Sequence, residues 1–178
     1  MPLAVTHILV PLILMALIRD FYFKNKKKFS LRYVLIAGIS GVIPDLDIAA
    51  FWVLYFFGFT FEQVHKTVLH SLLIPILFFL FFIIFKKLNL SGIGRHKLKL
   101  NLIFLMMAFG SFTHLILDAI FGELIMPFWP LNNSTLGMDI ITYLPKELQW
   151  MALPMLDGLL LIIWLIYLEF KHRISDFI

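Results

Sequence analysis

Gly110-Ser111-Phe112-Thr113-His114-Leu115-Ile116-Leu117-Asp118-Ala119-Ile120-Phe121-Gly122 closes an apolar run that starts at Leu100. About 20 predominantly apolar residues are enough for a helix that crosses a bilayer. His114 and Asp118 stand four residues apart in it, so on a helix both side chains share one face, one turn from each other. An unpaired carboxylate in or near lipid is costly and marks function. A metal ion would satisfy both groups at once, and it needs further ligands from elsewhere in the chain.

The rest of the 178-residue chain has the same character. It is 61% hydrophobic, against roughly 45–50% for a soluble domain, and only 15% charged. This composition excludes a soluble domain and defines an integral membrane protein. Cysteine is absent, which removes disulfides, thiolate metal sites and a cysteine nucleophile. The net charge of +4 sits in loop clusters and reads as an orientation signal, so no nucleic-acid partner is expected.

Working outward, Pro2 to Ile18 reads as a first, retained span, because its positive charges follow the apolar run and no signal-peptide cleavage site stands out. Lys24, Lys26, Lys27, Lys28 and Arg32 form a basic loop. Tyr33 to Phe57 is apolar but broken by Pro44-Asp45-Leu46-Asp47, where proline should end a helix near Ile43 with both acids at its mouth. Residues 48–59 then span, re-enter or lie at the interface. A polar interlude holds Glu62, His65, Lys66 and His70, and Leu72 to Phe85 is the next span. A second basic loop runs from Lys86 and Lys87 to Lys99, ahead of Leu100 to Phe121. Gly122 to Leu153 reads as an irregular interfacial segment with Trp129, Tyr143 and Trp150 as aromatic anchors. Met155 to Phe170 is the last span, with Asp157 as a cap after Pro154. The expected fold is all-α: one membrane-embedded domain over residues 1–178, a polytopic bundle of about five transmembrane helices plus interfacial helices.

Basic clusters at 24–32, 86–99 and 171–173 all belong on the cytoplasmic side under the positive-inside rule. Alternating the spans between them puts the N-terminus outside and the C-terminus inside. His7, Asp45, Asp47, His65, His70, His114, Asp118 and Asp157 then all fall at the outer ends of their segments. His96 and His172 stay inside among lysines and arginines.

Imidazole and carboxylate without thiolate suit a divalent transition metal, with zinc, manganese and iron(II) as candidates. Six or more ligands exceed what one ion needs, so two zinc ions about 3.5–4 Å apart around a bridging carboxylate and a hydroxide are expected. Such pairs serve phosphoester hydrolysis. The expected metal ligands are His7, Asp45, His65, His70, His114 and Asp118, with Asp45 or Asp118 as the bridge. Asp47 is either a further ligand or the acceptor that orients a histidine. Lys66 would neutralise a substrate phosphate, and Thr113 and Ser71 would hydrogen-bond to ligands. Taken singly, His7 could be an interfacial residue, Asp45 and Asp47 a turn, and Glu123, Asp139 and Asp157 solvated or capping groups.

Thr6-His7, Pro44-Asp45-Leu46-Asp47, His65-Lys66, His70-Ser71, His114-x-x-x-Asp118, Gly122 and Pro127-Phe128, in this order, resemble the YdjM-like family of inner-membrane proteins described as metal-dependent hydrolases. The likeness covers nearly the whole chain and implies a multi-helix inner-membrane hydrolase with a metal site. Lys66 stands where the family usually has arginine, and Leu69 where it has threonine. The order His, Asp, His, His-x-x-x-Asp is more distantly similar to zinc-dependent phospholipase C and P1 nuclease, which implies a phosphoester substrate.

The resulting expectation is a membrane hydrolase whose site faces outside and acts on a membrane lipid or lipid-linked phosphoester. The alternative is a metal-ion or proton-coupled transporter using the same residues, which would need polar groups at several depths. A third reading is a scaffold that binds metal for stability alone.

Overall fold

The structure is a computed structural model that describes residues 3–23, 29–65, 67–88, 92, 97–122 and 124–173. Its elements are α1 (Ala4–Leu17, run on by a π turn, Ile18–Tyr22), α2 (Leu31–Ser40), α3 (Leu46–Leu54, closed by a 3-10 turn, Tyr55–Phe57) and α4 (Phe61–Val64). Then come α5 (Leu73–Leu88), α6 (Leu100–Phe121), a 3-10 turn at Ile140–Tyr143 and α7 (Lys146–His172). Among the described residues there is no strand in the bundle, and the antiparallel bridge between Ile125 and Leu136 is isolated. The all-α expectation is met.

The number of spans is not about five. Among the described residues three helices are long and apolar enough to cross a membrane: Ala4–Tyr22, Leu100–Phe121 and Lys146–His172. At 1.5 Å per residue the 10 residues of α2 and the 16 of α5 reach only about 15 and 24 Å, short of a hydrocarbon core of about 30 Å. Residues 46–57 reach about 18 Å and do not cross either. Apolar runs in the sequence overcount because the chain leaves the helix at Gly41 and again near Ser71, both turns that build the site.

Local signals explain the breaks. Pro44 cannot continue α2, and Asp45 and Asp47 flank the start of α3, where the helix dipole favours negative charge. Gly58, at φ 84°, ends the turn after α3 in a conformation that other residues resist. The Thr60 N–H donates to Gln63 Oε1 at 2.9 Å, the return half of a capping box that starts α4. The last helix starts earlier than expected, at Lys146, with Pro154 inside it. Asp157 therefore lies well within α7 and caps nothing.

Helices α1, α2 and α6 pack through small residues, as membrane helices do when backbones approach closely. A Cβ at Gly110 would lie 2.5 Å from the Ala37 carbonyl oxygen, and one at Gly41 only 1.9 Å from the His7 carbonyl oxygen. Pro11, four residues beyond His7, supplies no helical donor to that carbonyl, so the bare Cα of Gly41 can take its place as a weak C–H donor. Below this contact lies the core, built on Leu12, Met15, Val34, Ala37 and Met106, with Tyr33 and Phe29 toward the far end. Helix α7 runs parallel to α1, with Thr6 against Asp157 at one end and Asp20 against His172 at the other, and shows most of its surface, including Leu159, Ile162 and Ile166, to the surroundings. That is the expected face for lipid.

Candidate metal centre

Five helix ends converge on one spot. The first turns of α1 bring His7, and the turn between α2 and α3 brings Asp45 and Asp47. The end of α4 brings His65, the turn before α5 brings His70, and the last turns of α6 bring His114 and Asp118. His7, His70 and His114 are fully buried, and Asp118 is 1% exposed.

Three donor atoms form a closed triangle. His114 Nε2 lies 3.2 Å from His70 Nε2 and 3.2 Å from Asp118 Oδ2, and His70 Nε2 lies 3.5 Å from Asp118 Oδ2. Asp45 Oδ1 caps it at 3.6 Å from both histidine Nε2 atoms. An ion that holds tetrahedral ligands at about 2.0–2.1 Å needs donor–donor edges of about 3.3 Å. The edges observed here bracket that value.

Both ring nitrogens facing away from the triangle have an oxygen beside them. His114 Nδ1 is 2.6 Å from the Gly41 carbonyl oxygen, and His70 Nδ1 is 2.9 Å from Asp47 Oδ2. At His114 the acceptor on Nδ1 fixes the proton there and leaves the Nε2 lone pair directed inward, the arrangement that metal-ligating histidines use, and at His70 the Asp47 carboxylate stands on the corresponding side. The second oxygen of Asp118 faces the other way: Oδ1 is 3.4 Å from His7 Nε2, and the His7 and His114 rings stack with centroids 3.8 Å apart. Both nitrogens of His7, His70 Nδ1, Asp45 Oδ1 and both Asp118 oxygens are buried without an aligned hydrogen bond, the approach of His70 Nδ1 to Asp47 being an ion-pair contact. Buried polar atoms left so are costly, and a cation among them removes the cost. By this test the residues fit a metal ion. Three overlapping groups could hold one: His70, His114 and Asp118; His7, Asp45 and His114; Asp47, His65 and His70.

His65 stands one step outside. Its Nδ1 is 3.0 Å from Asp47 Oδ1, so it meets the triangle through Asp47 and His70. Burial opposes charge on both His70 and Asp47. Asp45 and Asp47 nonetheless raise the His70 imidazolium up to about 9, and His65 and His70 hold the Asp47 carboxyl well below the usual carboxylate range. The acids at this spot demand positive charge, which a protonated imidazole or a metal ion provides.

Two expectations need correcting. Ser71 Oγ donates to the Val68 carbonyl and Thr113 Oγ1 to the Phe109 carbonyl, so these hydroxyls serve backbone and not the ligands. Asp157 is buried, and Thr6 Oγ1, next to His7, donates to its Oδ1. Lys66 and Glu123 lie outside the described residues. Asp139 precedes the 3-10 turn and is in none of the groups that could hold an ion.

Sequence reasoning missed a second polar cluster at the opposite end of α1. Asp20 accepts from Arg19 Nη1 at 2.5 Å and from the Tyr167 hydroxyl at 2.6 Å, with His172 Nε2 at 3.1 Å. Arg19 Nε also donates to the Phe29 carbonyl at 3.0 Å. The available signal was Arg19-Asp20 directly after an apolar run, which looks like an ordinary span end.

The fold and site define a helical membrane protein with a buried His/Asp cluster able to hold metal. The chain belongs to the YdjM inner membrane protein family, whose model matches residues 1–175. Neither a curated protein nor a solved structure matches it, so nothing beyond motif order stands behind the likeness to phospholipase C and P1 nuclease.

Proposed function

We propose that the chain is a metal-dependent phosphoester hydrolase working at the membrane–water boundary on a lipid or lipid-linked substrate. The observation that carries this reading is the His70–His114–Asp118 triangle, with both Nδ1 atoms engaged from behind. Bound divalent ions, two zinc ions in the first instance, would supply Lewis acidity and a hydroxide near neutral pH.

The chain's own residues do the rest. Asp118 offers one oxygen to His70 and His114 and the other to His7, so it would be the carboxylate shared between two ligand sets. Asp45 has a side chain 17% exposed, more than any ligand it faces, and marks the corner where water enters. Asp47 and the Gly41 carbonyl position the two histidines. Attack of the water oxygen forms a new P–O bond as the ester P–O bond breaks, and the proton that the water gives up ends on the departing alkoxide as an alcohol.

Basic residues at the far end, namely Lys86 and Lys87 on α5, Lys99 before α6 and Lys171 on α7, support a cytoplasmic far end and an outward-facing site. Between the two polar ends the core is Leu12, Met15, Val34, Ala37 and Met106. That apolar stretch favours an enzyme over the transporter alternative, which needs a polar path. Elemental analysis of purified protein, with phospholipid hydrolysis measured with and without chelator, tests the reading. Wild-type protein free of transition metal would refute it.

A further inference from the structure

Three cavities lie near the site, the first sharing Trp129 with the second and the second sharing Leu72 and Ile76 with the third. The first, of about 280 Å³, has Asp47 on its wall with Gln63 and Thr67 nearby, and Trp129 closes one side. Trp129 also lines a groove of about 490 Å³ between α5, at Leu73, Ile76 and Leu80, and the loop Pro127–Leu131. Leu72 and Ile76 carry this groove round α5 into a third space of about 300 Å³ against Phe109 and Phe112 of α6. The walls change character at Trp129. The first cavity adds a carboxylate, an amide and a hydroxyl to a wall that is otherwise apolar, whereas only apolar and aromatic side chains line the other two.

The groove is tied to the site by backbone. The Leu72 N–H donates to the Pro127 carbonyl at 2.9 Å, two residues after His70. The first cavity is walled by α3, whose Trp52, Phe56 and Phe57 are 66%, 84% and 75% exposed. A helix too short to cross and studded with exposed aromatics suits the headgroup level. A space without polar partners holds water poorly, and in a bilayer hydrocarbon chains are its ready occupant.

We propose that the α5 groove is the hydrocarbon-chain site of the substrate, which is thus an anionic amphiphile: a phosphate ester with a long apolar chain, taken sideways from the membrane. Its phosphate lies in the cavity beside Asp47, its chain runs between α5 and Pro127–Leu131, and Trp129 stands at the junction of head and tail. The assignment rests on the phosphoester reading above, which makes the polar end of the path cationic when metal is bound.

The test uses the full chain in lipid nanodiscs and a dodecyl phosphate carrying a diazirine at the chain terminus. Photolabelling is expected on Ile76, Leu77, Leu80 or Leu131, and a probe of equal chain length with a neutral hydroxyl head should label these residues at least tenfold less. Leu80→Trp and Leu131→Trp, at positions 49% and 94% exposed where folding is not at risk, fill the groove. They should raise KM for a dodecyl phosphodiester about tenfold and leave a chainless aryl phosphodiester within about twofold. Label spread over the exposed face of α7, or equal labelling by the neutral probe, would overturn the assignment. Groove labelling without hydrolysis of either ester would remove the hydrolase reading alone, since the phosphate-dependent labelling does not require turnover.

Discussion

Replacing Gly41 by alanine is the sharpest perturbation the site offers. The new Cβ would stand 1.9 Å from the His7 carbonyl oxygen and 3.0 Å from the His7 carbonyl carbon. Both are backbone atoms, so no rotamer relieves the clash. Bringing the shorter contact to 3.0 Å requires α1 and α2 to part by about 1.1 Å, against a tolerance of about 0.2 Å for metal–ligand distances. His7 would leave Asp118, and the Gly41 carbonyl would leave His114 Nδ1. Overpacking of this kind costs about 3 kcal/mol, and loss of the histidine's acceptor costs a further 10–100-fold in metal affinity. Gly158→Ala is the control: nothing lies within 4 Å of its Cβ, so it should be neutral or stabilise α7 by about 0.5–1 kcal/mol. Thermal unfolding in detergent and zinc titration of each variant read the two effects separately. A Gly41→Ala protein with wild-type melting temperature and wild-type zinc affinity would refute the close-approach argument.

Three further outcomes follow from the geometry. His114→Ala and Asp118→Ala each remove a corner of the triangle and should abolish stoichiometric transition-metal binding, measured by elemental analysis after gel filtration, with the helical circular dichroism preserved. Asp47→Asn keeps the ligands but weakens the acceptor on His70, so metal affinity should fall about 10–100-fold without loss of stoichiometry at saturation. An unchanged zinc isotherm would show that Asp47 does not orient His70. Thr6→Val strands the buried Asp157 carboxyl and should cost about 1–3 kcal/mol, whereas Thr6→Val with Asp157→Leu should recover most of that. Equal melting temperatures for the single and double variants would remove the proposed tie between α7 and α1.

Much of the candidate site was legible along the chain because lipid makes polar residues conspicuous. His114 and Asp118 on one helical face, and Asp45 and Asp47 after Pro44, stand out in a sequence where charge is sparse, and all four meet in the structure. Asp157 and Asp20 stand out equally as residues. Their partners, Thr6 for one and Tyr167 and His172 for the other, lie about 150 positions away along the chain, and no local pattern links them. The span count failed for a related reason: hydropathy measures apolar length and does not register that α2 and α5 stop short at the turns carrying Asp45 and His70.

By itself, then, the sequence determined the medium, the helical class and the residue types gathered at one end, because burial in lipid leaves backbone and charge few alternatives. Tertiary structure alone decided which nitrogen of each histidine faces inward, which carboxylate is shared between His7 and the His70–His114 pair, and where the apolar grooves lie. Those outcomes depend on angstrom-scale approaches such as Gly41 to His7, set by three helices packing at once, and no single stretch of chain encodes them.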